Sequence, residues 1–235
     1  MKRLQFSMRI VALLLLCVCM AMPEALAQKK NKDFANLARF AKENAALPAP
    51  AKGEKRVVFL GNSITEGWMK HHPVFFEQNK NYVNRGISGQ TSEQFLLRFR
   101  NDVINLKPAK VVINVGTNDV AENTRPYDED YTFGNIVSMV QLARANKIKV
   151  VLAAVLPAAG FSWRKDITDA PDKIEALNAR IKAYAKAEKI PFVDYYTPMV
   201  YGEKRQLNPD YTYDGVHPTA AGYEVMESLV QKALK

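Results

Sequence analysis

Two apolar runs, Val111-Val112-Ile113-Asn114-Val115 and Val150-Val151-Leu152-Ala153-Ala154-Val155-Leu156, decide how this chain folds. Neither shows the regular polar alternation of a half-exposed strand. Each therefore reads as a strand covered on both faces, which is the habit of parallel sheets held between helix layers. Shorter runs at 57–60, 82–83 and 191–193 bring the expected strands to five. Segments 91–106, 128–146, 170–188 and 219–234 have helical spacing and separate or follow the strands. This alternation specifies an α/β fold with a parallel sheet, whose ligands bind beyond the carboxyl ends of the strands.

The N-terminal 27 residues have Lys2, Arg3 and Arg9 ahead of an apolar run at 10–22, then Ala25-Leu26-Ala27. That is the layout of a cleaved secretory signal, and the run is short against the roughly 20 residues that a bilayer span needs. Export to a periplasm or the outside of the cell is expected, with no stable membrane anchor. Cys17 and Cys19 are the only cysteines and both lie in this segment, so the mature chain is expected to fold without a disulfide. Removing three cations and Glu24 lowers the formal charge from +9 to +7. The lysines are scattered, and their densest group, Lys29-Lys30-Asn31-Lys32, reads as a solvated leader, so no nucleic-acid partner is expected. Residues 33–46 have helical spacing and end at Leu47-Pro48-Ala49-Pro50. The expected organisation is a signal at 1–27, an N-terminal helix and linker at 28–55, and one catalytic-sized domain at 56–235.

Four segments at expected strand ends carry polar groups in a suggestive order. Gly61-Asn62-Ser63 follows the first strand, and Asn84-Arg85-Gly86-Ile87-Ser88-Gly89-Gln90-Thr91 follows the second. Gly116-Thr117-Asn118-Asp119 follows the third, and Asp214-Gly215-Val216-His217-Pro218 leads into the last helix. Singly, each has a plain structural use: a helix cap for Ser63, a turn for the glycines, turn chemistry for Asn118-Asp119, a metal ligand pair for Asp214 and His217. A serine hydroxyl becomes a nucleophile when a histidine takes its proton and a carboxylate orients that imidazole. Only three histidines are present, and His217 alone has an acid three residues before it.

Together the four segments closely resemble the SGNH hydrolases, also called GDSL esterases, whose four blocks supply serine, glycine, asparagine and histidine in this chain order. The resemblance implies a three-layer α/β/α sandwich of flavodoxin type around a five-stranded parallel sheet. It implies Ser63 as nucleophile, His217 as general base and Asp214 as the group orienting the imidazole. The oxyanion hole would comprise the backbone N–H groups of Ser63 and Gly89 and the side-chain amide of Asn118, with Gly86 the fallback for Gly89. No metal and no organic cofactor is implied. Two positions depart from the commonest pattern, Asn62 and Gln90, each standing where an aspartate is usual. Ordinary α/β-hydrolases fit poorly, because their nucleophile turn wants a glycine where this chain has Thr65.

The implied reaction is ester hydrolysis through an acyl-enzyme. Trp163, Tyr213 and Tyr211 are candidates to offer flat faces to a sugar ring, with Trp68, His71 and His72 as further candidates to line the cleft. The expected partner is a small-molecule or oligosaccharide ester, most readily an acetylated carbohydrate. A lipid or thioester acylhydrolase is the alternative, and an inactive carbohydrate-binding domain a distant third. The sequence leaves the oligomeric state open.

Overall fold

The computed structural model describes residues 33–235, so the expected signal segment and the basic leader at 29–32 lie outside the described residues. The chain divides into two compact units. Of the first, residues 33–36 are described, a turn in which Asn36 takes a left-handed φ of 52°. The second, residues 37–235, carries everything that follows.

Its sheet has five parallel strands: β1 (Val57–Gly61), β2 (Tyr82–Gly86), β3 (Lys110–Asn114), β4 (Lys149–Ala153) and β5 (Phe192–Val193). Their order across the sheet is β2-β1-β3-β4-β5, the flavodoxin-like order. Successive side chains point to opposite faces, and the core divides accordingly. Val58, Leu60, Val111, Ile113, Val150 and Leu152 pack into one hydrophobic cluster. Val57, Phe59, Val112, Val151 and Ala153 pack into the other. This is why the two runs show no polar alternation: both faces are buried.

The first cluster is closed by helices α4 (Ser92–Asp102), α6 (Glu129–Ala145) and α7 (Ala170–Ala187), through Phe95, Phe99, Met139, Val140, Ile174 and Leu177. The second is closed by α2 (Ser63–His71), α3 (Val74–Gln78) and α8 (Ala220–Leu234), through Trp68, Phe75, Phe76, Tyr223 and Met226. Helix α1 (Ala41–Ala46) is shorter than the helix expected over 33–46. Residues 37–40 are turn and Phe40, at φ −112°, is not helical, so the helix starts at Ala41, and Leu47, extended as a residue before proline must be, stops it afterwards. A one-turn helix α5 (Thr117–Val120) and a hairpin of β6 (Val200–Tyr201) and β7 (Gln206–Leu207) complete the unit.

The free edge of β2 is covered by its own side chains. Arg85 donates to the Asn84 carbonyl at 2.7 Å, and the Gly86 N–H donates to Asn84 Oδ1 at 2.9 Å. Edge groups satisfied in this way do not recruit another strand. The register sets the carboxyl ends level, with Gly61 opposite both Gly86 and Asn114. Ser63, Gly89 and Asn118 therefore emerge on one edge of the sheet, two, three and four residues past those level ends.

Candidate active site

Ser63 is the first residue of α2, and Asn62 caps that helix by accepting from the Ile64 N–H at 3.0 Å. The departure at position 62 is thus a working N-cap, and it leaves the Ser63 hydroxyl out of capping. Gly61 admits no side chain, because a Cβ there would stand 1.8 Å from Thr65 Oγ1. The tight turn from β1 into α2 depends on that glycine.

His217 Nε2 lies 2.9 Å from Ser63 Oγ, and His217 Nδ1 lies 2.7 Å from Asp214 Oδ2. With Nδ1 donating to the carboxylate, Nε2 is left to accept from the serine hydroxyl. Asp214 Oδ1 also accepts from the backbone N–H groups of Val216 at 3.0 Å and His217 at 2.8 Å. Partial burial pushes the Asp214 carboxyl up, but these backbone bonds and the imidazole beside it outweigh that and hold it below the usual carboxylate range. Thr212 braces the loop, its hydroxyl donating to the His217 carbonyl at 2.8 Å and accepting from the Gly215 N–H at 3.0 Å. The arrangement can move a proton from Ser63 onto His217 while Asp214 stays ionised.

Beyond β2, residues 87–90 form a turn with Gly89 at φ +78°. Asn118 Nδ2 donates to the Gln90 carbonyl at 2.9 Å, and that amide carries a second hydrogen. Gln90, the other departure from the usual pattern, uses its side-chain oxygen to accept from Arg98 Nε at 2.6 Å. Arg98 is fully buried and also donates to the carbonyls of Gly61 and Arg85, at 3.0 and 2.9 Å, and to Asp102 at 3.0 Å. Burial lowers the guanidinium to about 10, with Asp102 opposing. One cation therefore ties the ends of β1 and β2 to the turn. Asp119 accepts from the Ser92 N–H with both oxygens, at 3.0 and 3.1 Å, and burial pushes its carboxyl up to about 6.

Trp163 and Tyr213 lie beside His217, with ring centroids at 6.3 and 5.9 Å, and both are exposed, by 42% and 59%. Asn123 holds the Trp163 indole N–H at 2.9 Å and donates to the Gly89 carbonyl at 3.1 Å. Of the further aromatic candidates, only His71 reaches this rim, its ring 5.5 Å from that of Tyr213. Trp68 is core, stacked on Phe75 at 4.8 Å, and Tyr211 packs against the same cluster. His72 is turned to Glu227 on α8, at 3.0 Å. Arg98, Thr212 and Asn123 hold the site and carry no motif signature in the sequence, and Asp119 reads there only as turn chemistry. For Arg98 a signal of another kind was available: a cation on the buried face of an expected helix, four residues before Asp102. Among the described residues, no three His, Cys, Asp or Glu side chains are grouped to hold a metal ion.

A parallel β2-β1-β3-β4-β5 sheet with this serine, histidine and carboxylate at its edge defines an SGNH-type hydrolase. The sequence profile of the GDSL-like Lipase/Acylhydrolase family matches residues 59–225, and the chain belongs to that family. It is a carboxylic ester hydrolase. A GDSL-like lipase from Bacteroides thetaiotaomicron VPI-5482 is 69% identical in sequence and superposes with a TM-score of 0.84 over 86% of this chain and 98% of that one. A protein from Bacteroides fragilis NCTC 9343, assigned as an acylhydrolase, is 66% identical with a TM-score of 0.85, over 87% and 98%. Esterase TesA of Pseudomonas aeruginosa is 29% identical, over 78% of this chain and 85% of its own.

Proposed function

We propose that the protein is an exported serine esterase that removes short acyl groups, acetyl above all, from carbohydrates. Ser63 attacks the ester carbonyl, His217 takes its proton and returns it to the leaving alcohol, and water then releases the acyl group by the same route. Ser63 N–H, Gly89 N–H and Asn118 Nδ2 hold the oxyanion in both steps. The observation that carries the catalytic reading is the pair of distances from His217, 2.9 Å to Ser63 and 2.7 Å to Asp214.

The substrate reading rests on the exposed rings of Trp163 and Tyr213 beside the base, since flat aromatic faces suit the apolar faces of sugar rings. The acetylxylan esterase of Xylanibacter ruminicola is 22% identical over 81% of this chain and 45% of its own length, which agrees in direction. A second reading has support of the same kind: thioesterase 1/protease 1/lysophospholipase L1 of Escherichia coli is 24% identical over 76% and 83%. Acyl length separates the two. Acetylated xylan fragments and p-nitrophenyl acetate are expected to be cleaved far faster than p-nitrophenyl octanoate, with Ser63→Ala as the blank. Preference for octanoate removes the deacetylase reading and keeps the lipid or thioester one. Export rests on the composition of residues 1–27, and a mature N-terminus at Gln28 in the secreted fraction is the expected result. An N-terminus at Met1 in the cytoplasm overturns it.

A further inference from the structure

Residues 84 and 86 face one way along β2, and Ser88 lies in the turn that follows it. All three meet the first turn of α2, the helix that begins with Ser63. Asn84 Nδ2 donates to the Thr65 carbonyl at 2.6 Å. Gly86 lies so near that a Cβ on it would stand 2.1 Å from the Glu66 backbone nitrogen, so no other residue fits. Ser88 closes the series, its N–H donating to Glu66 Oε2 at 2.8 Å and its hydroxyl to the same oxygen at closer range. Arg39 steadies the other oxygen, Oε1, at 3.5 Å.

The residue after Ser88 gives this contact its consequence. The Gln90 N–H closes a turn onto the Ile87 carbonyl, and Gly89 at φ +78° stands where a type II turn requires a left-handed residue. The middle peptide of that turn joins Ser88 to Gly89 and carries the Gly89 N–H. Glycine populates both signs of φ, so nothing intrinsic to position 89 stops this peptide reversing and turning the N–H away from Ser63. Downstream the turn is held by Asn123 on the Gly89 carbonyl and by Arg98 and Asn118 on Gln90. Upstream, the Ile87 N–H donates to the Gly61 carbonyl at 3.1 Å, and Glu66 is the side chain that holds Ser88 itself.

We infer that Glu66 is a positioning residue for the oxyanion site: by binding Ser88 N–H and Oγ it fixes the Ser88–Gly89 peptide with its N–H toward Ser63. The inference rests on the reading of Gly89 N–H as an oxyanion donor. A carboxylate suits the task because one ionised oxygen accepts from an N–H and an O–H together, with charge-assisted strength. Glu66 also rides on the helix of Ser63, three residues along, so nucleophile and donor are joined through one rigid element. The competing use of Glu66 is to complement the positive end of the α2 dipole, and that role touches stability alone.

Glu66→Ala, Glu66→Gln and Ser63→Ala are to be compared in kcat and KM for p-nitrophenyl acetate, in the rate of Ser63 labelling by a fluorophosphonate, and in Tm. Glu66→Ala is expected to lower kcat and the labelling rate about tenfold, inside the roughly 10²- to 10³-fold cost of losing a donor outright, with KM within about twofold. Glu66→Gln keeps an acceptor oxygen and is expected to recover most of the loss. Wild-type kcat and labelling in Glu66→Ala, whether or not Tm falls, overturn the inference, as does an effect on KM alone. Should Glu66→Ala not fold, Ser88→Ala serves instead, since Ser88 is exposed and the change removes the hydroxyl tie only. A loss of about threefold in its kcat supports the inference and no loss overturns it. Activity retained in Ser63→Ala sinks the catalytic reading beneath the proposal, whereas a dead Ser63→Ala beside a fully active Glu66→Ala sinks the positioning role only.

Discussion

Two loops at the carboxyl edge of the sheet, one bearing His217 and one bearing Gly89, are built on different principles. Residues 212–218 hold themselves: Asp214 binds the Val216 and His217 N–H groups and the imidazole, and Thr212 binds the His217 carbonyl and the Gly215 N–H. Residues 86–90 are held from elsewhere, by Glu66, Arg98, Asn118 and Asn123, whose partners lie 22, 8, 28 and 34 positions away. The base is aimed by local chemistry, and the donor turn is aimed by the folded sheet. Mutations around the first loop should therefore change the reaction with little change in stability, while mutations around the second should couple the two.

The largest effect is expected at the nucleophile. Ser63→Ala should lower kcat by about 10⁶-fold, and Ser63→Ala/His217→Ala should be no worse, because the pair acts as one unit. Additive losses in steady-state kinetics would show two separate roles. Asp214→Asn should cost roughly 10⁴-fold by presenting the wrong tautomer to Ser63, with an unfolding midpoint near that of the wild type. A large fall in that midpoint would break the picture of a self-held loop.

The second loop is tested through Arg98. Arg98→Met strands the Asp102 carboxylate in the core and should destabilise the protein by about 3–5 kcal/mol in urea unfolding. Arg98→Met/Asp102→Leu should restore part of that stability without restoring kcat, because the ties to Gly61, Arg85 and Gln90 stay lost. Asn118→Ala should lower kcat by about 10²- to 10³-fold, and the bond lost to the Gln90 carbonyl adds a modest loss of stability, which urea unfolding measures.

The smallest effect is a pH dependence. Burial raises Asp119 in the folded state from 3.8 to about 6, so the folded protein binds the proton more tightly than the unfolded chain. The stability from this group is complete below about pH 4 and is lost as pH rises through about 6. Asp119→Asn should remove that slope, seen as the difference between wild-type and variant stability at pH 4 and pH 7. A difference that does not change with pH contradicts the assignment.

The same division explains what could be read from the chain. The five strands, their burial and the long helices were legible because apolar period and length report them directly. Ser63, Asp214 and His217 were legible because Asp214 and His217 sit three apart in one loop and Ser63 opens a helix after a strand. The rim of Trp163 and Tyr213 was legible only as aromatic residues, and Trp68 and Tyr211 looked alike in sequence, yet Trp68 packs in the core and Tyr211 against it. Glu66 and Asp119 were not legible, because a carboxylate three residues into a helix or after an asparagine has an ordinary use at both places. Ser88 comes near Glu66 only once β2 has paired with β1, and Ser92 comes near Asp119 only once β3 has paired with β1 as well. Helix α1 fell short of its periodic pattern because the backbone is turn at 37–40 and extended at Leu47, whatever the side-chain spacing.

If Ser63 Oγ forms the covalent bond of the acyl-enzyme, fluorophosphonate trapping followed by intact mass and peptide mapping will show where that bond lies. One adduct on the peptide containing Ser63 is expected, absent in Ser63→Ala and formed far more slowly in His217→Ala. An adduct on another residue, or Ser63→Ala hydrolysing p-nitrophenyl acetate at the wild-type rate, would contradict it.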